Sequence, residues 1–294
     1  MSTGAGGRGV MSEAERRRPI TRFGLGTTQL LLIAALIIEG AGPIYWVFKG
    51  SISSTQDSLR HPLALWPEEV HWSNISTAWT SLDLGRYLTN TVVLVGGSWF
   101  VQLFVAVTGA YALSVLRPFY GKYVYAAVLA TLFLPGTVSM VSLYLTIQDL
   151  PLTGGSIANT PMAVWLPAGA HAFNVLLMKQ FFDGIPKELL EAARLDGAGP
   201  WRILTRIVLP MSRPILAVVS LLAVMNAWKD FLWPMIAITD TEKQPLAVAL
   251  PRLADTSNQS LLIAGMLIAI IPPVVVFLVF QRQIVRGIAF TGLK

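Results

Sequence analysis

The chain has 294 residues, 54% of them hydrophobic and only 13% charged, with a formal net charge of +6. That charged share is about half the roughly 25% typical of soluble domains, which excludes an ordinary water-soluble globule. The lack of cysteine excludes disulfides and thiolate sites, three scattered histidines exclude a histidine-rich zinc cage, and basic residues dispersed between apolar runs exclude a nucleic-acid surface.

In chain order, residues 1–24 form a Gly-, Ser-, Arg- and Glu-rich tail that is predicted to be disordered. Arg16-Arg17-Arg18 ahead of an apolar run resembles a signal peptide. The run is too long for one, contains Glu39 and lacks a small-x-small cleavage site, so an uncleaved first span is expected. Gly4, Gly6 and Gly9 fit G-x-G-x-x-G, but no strand precedes them and dinucleotide binding is set aside. Six segments are long enough to cross about 30 Å of hydrocarbon as helices, which takes about 20 residues each. They lie near residues 25–48, 88–115, 123–147, 157–178, 214–238 and 261–280. The expected fold class is therefore all-α, a polytopic membrane protein with six transmembrane helices over 25–280. It includes a polar cytoplasmic loop at 180–213 and ends in a cytoplasmic tail at 281–294.

Charge sets the expected orientation, because Lys and Arg gather on the cytoplasmic side of short loops. Arg8, Arg16, Arg17, Arg18 and Arg22 lie in the N-terminal tail. Arg117 and Lys122 follow span 2, and Lys179, Lys187, Arg194, Arg202, Arg206 and Arg213 follow span 4. Arg282, Arg286 and Lys294 lie in the C-terminal tail. The opposite loops hold only Lys49, Arg60, Arg86, Lys243 and Arg252. Both termini are expected in the cytoplasm, with loops 49–87 and 239–260 outside.

Within the large loop, Pro186 suits a first helical position, and the run Lys187–Leu195 consists mostly of good helix formers. Glu188 and Glu191 complement the N-terminal end of the helix dipole. Gly197 suits the left-handed residue that ends a helix, and Pro200 starts another through Val208, broken again by Pro210 and Pro214. The first helix is too short to be stable alone in water. It must pack on its own membrane domain or in a partner's groove, and spacing alone leaves both connector and docking helix open.

Glu191-Ala192-Ala193, three residues, Gly197, nine residues, then Ile207-x-Leu209-Pro210 resembles the signature loop of permease subunits of binding-protein-dependent ABC importers. The runs Phe181–Leu189, Trp228–Pro234 and Gln281–Gly287 resemble the carbohydrate-uptake branch, and most closely its smaller, maltose-type permease. The resemblance extends from about Thr27 to near the end. It implies a bacterial plasma-membrane protein that imports a sugar or oligosaccharide by alternating access, delivered by an extracytoplasmic sugar-binding protein. It further implies a second homologous permease and two ATP-binding cassette subunits as partners. Glu188, Glu191, Ala192, Ala193, Asp196, Gly197, Ile207, Leu209 and Pro210 would then form the ATPase-coupling element, and the chain itself would not be catalytic. No G-x-x-x-x-G-K-[ST] occurs, so no cofactor is expected to bind directly, and ATP and Mg belong on the partner subunits.

Ionisable groups at membrane depth usually face a cavity or a bundle interior. Asn226, Lys229 and Asp230 in span 5 are candidates for the substrate path, with helix–helix packing as the alternative. The family usually has Asn where Lys229 stands. Pro234 would free a nearby carbonyl, as in broken transporter helices. Glu39 either lines the path or reaches the interface. Gln102, His171 and Asn174 are candidate inter-helix hydrogen bonders. In loop 239–260, Pro245, Leu246, Ala247 and Leu250 are the candidate binding-protein contact, with a plain connector as the alternative. No metal site is expected. Competing functions are an importer permease for glycerol phosphate or a polyamine and, remotely, a membrane-embedded enzyme. The enzyme would need a partner for Asp230 or His171 that the spans do not supply.

Overall fold

The computed structural model describes residues 19–151 and 154–291. Among them every regular element is helical and none is a strand. Helix α1 is Pro19–Ser51, α2 Thr55–Arg60, α3 Ser73–Ser81 and α4 Leu84–Tyr111. Helix α4 continues as a π-helical segment, Ala112–Leu116. Then come α5 Gly121–Thr131, α6 Met140–Gln148, α7 Met162–Ala168 and α8 Ala172–Asp183. The polar loop contains α9 Lys187–Leu195, α10 Pro200–Ile203, a second π-helical segment Leu204–Val208, and α11 Leu209–Met211. The chain closes with α12 Arg213–Lys229, α13 Leu232–Ala237, α14 Leu246–Leu253 and α15 Gln259–Thr291.

Among the described residues, three helices are long and apolar enough to cross a membrane singly: Gly26–Ser51, Leu84–Leu116 and Gln259–Gln281. Two more segments qualify only as bent pairs. Gly121–Thr131 with Gly136–Gln148 turns by 100°, and Pro200–Met211 with Arg213–Lys229 turns by 82°. The expected continuous third, fourth and fifth spans are thus all interrupted. At the third, Pro135 lacks an N–H and forces the residue before it out of the helical region. The fourth divides into α7 and α8 around Gly169–His171, and neither piece is long enough to cross alone. The fifth stops at Asp230, which is extended at φ −67° and ψ 121°. Pro234 accounts for that stop, because it has no N–H to give the residue-230 carbonyl and sits in the first turn of the next helix, where that loss is tolerated.

At the ends of the chain, the residues 1–18 of the expected tail lie outside the described residues. The helix already begins at Pro19, inside the stretch expected to be irregular. Helix α15 likewise runs past residue 280 without a break, as far as Thr291.

Helix α4 is the axis of the molecule. Its first turns, Leu84 and Tyr87, join Ala78 of α3, Leu246, Ala249 and Leu250 of α14, and Leu262 and Ala264 of α15 in one buried cluster. Its last turns, Ala106 to Tyr111, join Val175, Met178 and Phe182 of α8, Leu190 of α9, and Ile203, Leu204 and Val208 of the loop in another. The loops 49–87 and 239–260 are therefore at one end of α4 and loop 184–212 is at the other. At about 1.5 Å per residue, its 28 residues separate those ends by roughly 42 Å, enough to span a bilayer core. A third cluster, Leu94, Ile147, Val164, Trp233 and Ile238, packs the broken helices α6, α7 and α13 on its flank. Asn159, in the left-handed region at φ 58°, ties this flank to the next loop. Its Oδ1 accepts from the Asp240 N–H at 2.8 Å and from the Thr239 hydroxyl at 3.1 Å.

Candidate functional site

The polar loop folds back onto the end of α4. Pro186 is the N-cap of α9 rather than its first helical residue, because its ψ of 127° is extended. At the other end of α9, Gly197 takes φ +76°. The Ala198 N–H returns to the Ala193 carbonyl at 2.9 Å and the Gly197 N–H to the Arg194 carbonyl at 3.0 Å. This is the Schellman closure expected of a glycine stop. Leu190 is the residue of α9 that enters the core. Two side-chain bonds then lock the loop to α4: the Tyr111 hydroxyl donates to the Pro200 carbonyl at 2.7 Å, and Arg194 Nη2 donates to the Val115 carbonyl at 3.1 Å. A guanidinium is well suited to the latter position, since the last carbonyls of a helix lack intrahelical partners and carry its negative pole.

Beside it, Asp183 accepts from the Ser114 hydroxyl, and Lys179 Nζ lies 2.6 Å from its other oxygen. Burial pushes the Asp183 carboxyl up. Its bonds to Lys179 and Ser114 and the charge of Arg117 more than offset that and hold it below the ordinary carboxylate value.

Of the residues expected to form this element, Glu188, Glu191, Ala192, Asp196, Gly197 and Pro210 are exposed, and Ala193, Ile207 and Leu209 are half-buried. The exposed set is joined by Leu195, 90% exposed, and Trp201, 70% exposed. Leu195 belongs, with Leu189, Ala192 and Ala193, to the apolar face that the sequence gives this helix, whereas Trp201 is not among the expected coupling residues. A lone tryptophan inside a polar loop was the available signal for the second, and nothing local marks Tyr111 as an anchor.

A cavity of about 370 Å³ lies midway along α4, between it and the broken helices. Asn226 and Asp230 both line it, and so do Gln102, Ser98 and His171. Asp230 is beyond the end of α12, so the two residues share the cavity wall but not one helical face. Its carboxylate lies against the backbone N–H groups of Leu232 and Trp233 at the start of α13. Lys229 is exposed and does not line the cavity. At 3.6 residues per turn it falls off the face that carries Ala223, Asn226 and Ala227. Gln102 bonds across helices as expected, its Nε2 donating to the Ala168 carbonyl at 3.1 Å. The Ser98 hydroxyl and His171 Nδ1 are buried there without a hydrogen-bond partner. Asn174 is wholly buried with both amide atoms unpartnered, so the expected inter-helix bond from it is not made. The only charged side chain among the lining residues is the Asp230 carboxylate, and no Lys or Arg is among them. The remaining wall is mostly aliphatic and aromatic, with Leu94, Val95, Leu143 and Trp233.

The residues expected at the outer contact face inward in this chain. Pro245, Leu246 and Leu250 are buried and Ala247 is half-buried, with Leu246 only 2% exposed. Helix α14 is amphipathic and turns its apolar face inward against α4 and α15, where burying it stabilises the fold. The exposed residues of this loop are instead mostly polar, including Glu242, Lys243 and Arg252, with Pro251 and Ala254 beside them. Glu39 is exposed on α1.

Comparison with known proteins agrees with this architecture. The sequence pattern of the family described as "binding-protein-dependent transport system inner membrane component" matches residues 83–290. The chain is 31% identical to the sn-glycerol-3-phosphate transport system permease protein UgpE of Agrobacterium fabrum, covering 93% of this chain and 98% of that one. It is 29% identical to the diacetylchitobiose uptake system permease protein NgcG of Streptomyces coelicolor, covering 91% of this chain and 88% of the other. Among solved structures, a chain of a bacterial ABC transporter involved in the import of the acidic polysaccharide alginate superposes with a TM-score of 0.78. That match has 26% identity and covers 94% of this chain and 99% of that one.

Proposed function

This chain belongs to the family of binding-protein-dependent transport system inner membrane components, and from that premise we propose that it is the permease subunit of an ABC importer for a neutral sugar or oligosaccharide. The cavity carries the solute assignment. Its single carboxylate, its amides and its hydroxyls suit the donors and acceptors of a polyol, and its aliphatic wall suits the C–H faces of sugar rings. A phosphate ester would place its negative charge against Asp230, with no Lys or Arg among the lining residues to offset it. The uptake of sugars by relatives such as the diacetylchitobiose permease supports the same reading.

In the full assembly this chain pairs with a second homologous permease and sits on two ATPase subunits, which carry ATP and Mg. Six crossings, with α7–α8 as the fourth, place both termini in the cytoplasm, as the basic residues of loops 117–122 and 179–213 favour. The apolar outer face of α1, exposed from Leu30 to Ile38, then meets lipid or the second permease.

Helix α9 is the coupling element. Glu191, Ala192, Leu195 and Trp201 present an exposed, mixed apolar and acidic surface to a groove of the ATPase, and Ala192 keeps that approach close. ATP can shift the permease only through contacts that differ between its two states. The bonds from Tyr111 and Arg194 carry such a displacement into α4, which forms one wall of the cavity.

The test is uptake by the reconstituted complex with its binding protein. Neutral oligosaccharides should stimulate ATP hydrolysis and accumulate, and sn-glycerol 3-phosphate should not compete. Uptake of the phosphate ester in preference to every neutral sugar would overturn the assignment.

A further inference from the structure

Outside the transport path, three ligand-type side chains meet in loop 49–87. His61 Nδ1 lies 3.6 Å from Asp57 Oδ1 and 3.3 Å from Glu68 Oε1. One donor atom from each residue lies within 4.8 Å of the others. Neither contact is a hydrogen bond in this geometry. Asp57 is only 8% exposed, and its Oδ1, on the His61 side, is buried with no hydrogen-bond partner. A carboxylate oxygen left unmatched in that way is costly. Metal bonds of about 2.1 Å in a tetrahedron put neighbouring ligand atoms about 3.4 Å apart, which is close to the two distances from His61 Nδ1.

The donors are also held in place. The Asp57 N–H donates to the Ser54 hydroxyl at 3.1 Å, and Asp57 Oδ2 accepts from the Glu68 N–H at 3.3 Å, which joins the two carboxylate residues directly. The His61 N–H donates to the Asp57 carbonyl at 2.9 Å, and the His61 carbonyl accepts from the Ala64 N–H at 3.1 Å and from Lys49 Nζ at 3.4 Å. Two carboxylates against the one buried ammonium of Lys49 leave a surplus of negative charge. We propose that Asp57, His61 and Glu68 bind a divalent transition-metal ion of the zinc class. An open space beside His61 and Glu68 leaves the fourth position to water or to a group on an arriving protein. An imidazole with two carboxylates favours zinc-like ions over magnesium or calcium, which take oxygen ligands. The ion clips residues 57–68 into a closed loop at the end of the molecule opposite the ATPase-coupling surface.

The test uses the full-length chain purified in detergent, stripped with a chelator and titrated with Co²⁺ and Zn²⁺. One equivalent of Co²⁺ should give the intense visible absorption of a four-coordinate site, displaced by Zn²⁺, and Zn²⁺ should raise the thermal midpoint. His61→Ala and Glu68→Gln change half- or more exposed side chains and leave the fold intact. Each should weaken binding by roughly tenfold or more. His71→Ala, whose imidazole pairs with the exposed Glu69 and lies outside the cluster, should change nothing. No saturable cobalt spectrum, or one unchanged in both His61→Ala and Glu68→Gln, would overturn the proposal.

Discussion

The hydroxyl of Tyr111 meets the carbonyl of Pro200 at 2.7 Å, joining residues 89 apart in sequence and making the end of α4 and the second arm of the polar loop one mechanical piece. Tyr111 is the last α-helical residue before the π-helical segment, so the bond falls where the backbone pattern of α4 changes. Removing it with Tyr111→Phe should cost about 1 kcal/mol of loop docking. In reconstituted complexes, ATP hydrolysis should then persist while solute uptake per ATP falls. Unchanged stoichiometry would mean that displacement reaches α4 by another route.

Gly197 is strained for any other residue by its backbone alone, since a Cβ there would meet nothing within 4 Å. Gly197→Ala should therefore cost about 1–2 kcal/mol, and Gly197→Asn less, because Asn tolerates the left-handed region. Gly197→Pro cannot adopt φ +76° and should abolish uptake while leaving the protein inserted. Glu191→Lys, on the exposed face, should do the same through the partner surface. Membrane-fraction blots with uptake assays check both, and wild-type uptake in either would defeat the coupling assignment.

Gly97 admits the indole of Trp165. A Cβ at Gly97 would lie 2.0 Å from Trp165 Cε2, and the indole N–H donates to the Val93 carbonyl at 3.2 Å. Gly97→Ala must push a rigid ring and should destabilise the α4–α7 contact by about 1–3 kcal/mol. The thermal midpoint of the detergent-solubilised protein measures this. The double variant with Trp165→Ala should recover part of the loss relative to additivity.

Asp230 is the one charged side chain in the cavity lining. Asp230→Asn should raise KM for sugar uptake by about 10-fold or more if it accepts a sugar hydroxyl, since hydrogen bonds to charged groups are worth about 1.5–3 kcal/mol. Basal ATP hydrolysis should be unchanged. Lys229→Asn, off the cavity wall, should leave KM alone. Concentration-dependent uptake by both variants separates them.

Asp183 makes stability depend on acid. Its folded carboxyl titrates below the ordinary value, so the unfolded chain takes up the proton first as pH falls. The stabilisation is fully present above the unfolded pKa and disappears as pH drops through the folded one. At neutral pH, Asp183→Asn should therefore have a lower thermal midpoint than the wild type. The two should converge only on the acid side of the ordinary carboxylate range, as followed by melting across a pH series. With the side chain 39% exposed, the difference should be small.

The helical breaks were partly legible. Pro135, Pro161, Pro167 and Pro234 all stood inside segments read as continuous spans. Hydropathy averaged over about 20 residues does not register where a proline interrupts, because it sums transfer energies and ignores missing N–H groups. The stop after α9 was legible because a Schellman closure is built from consecutive residues. The burial of Leu246 and Leu250 was not. An apolar face on a short outer helix reads alike whether it meets a partner or its own chain, and only the position of Leu84 and Leu262 decides.

The sequence by itself determined that this chain belongs in a membrane and which loop bears the family's motif, and it set the charge asymmetry from which orientation is argued. These follow from per-residue transfer energies and from contiguous spacing, both local quantities. Only the tertiary structure decided which polar residues share a cavity, that Lys229 is not one of them, and that Tyr111 and Arg194 fasten the loop to α4. The two fastening bonds join residues 79 and 89 positions apart, and all these relations arise from how rigid helices pack, which no local window of sequence encodes.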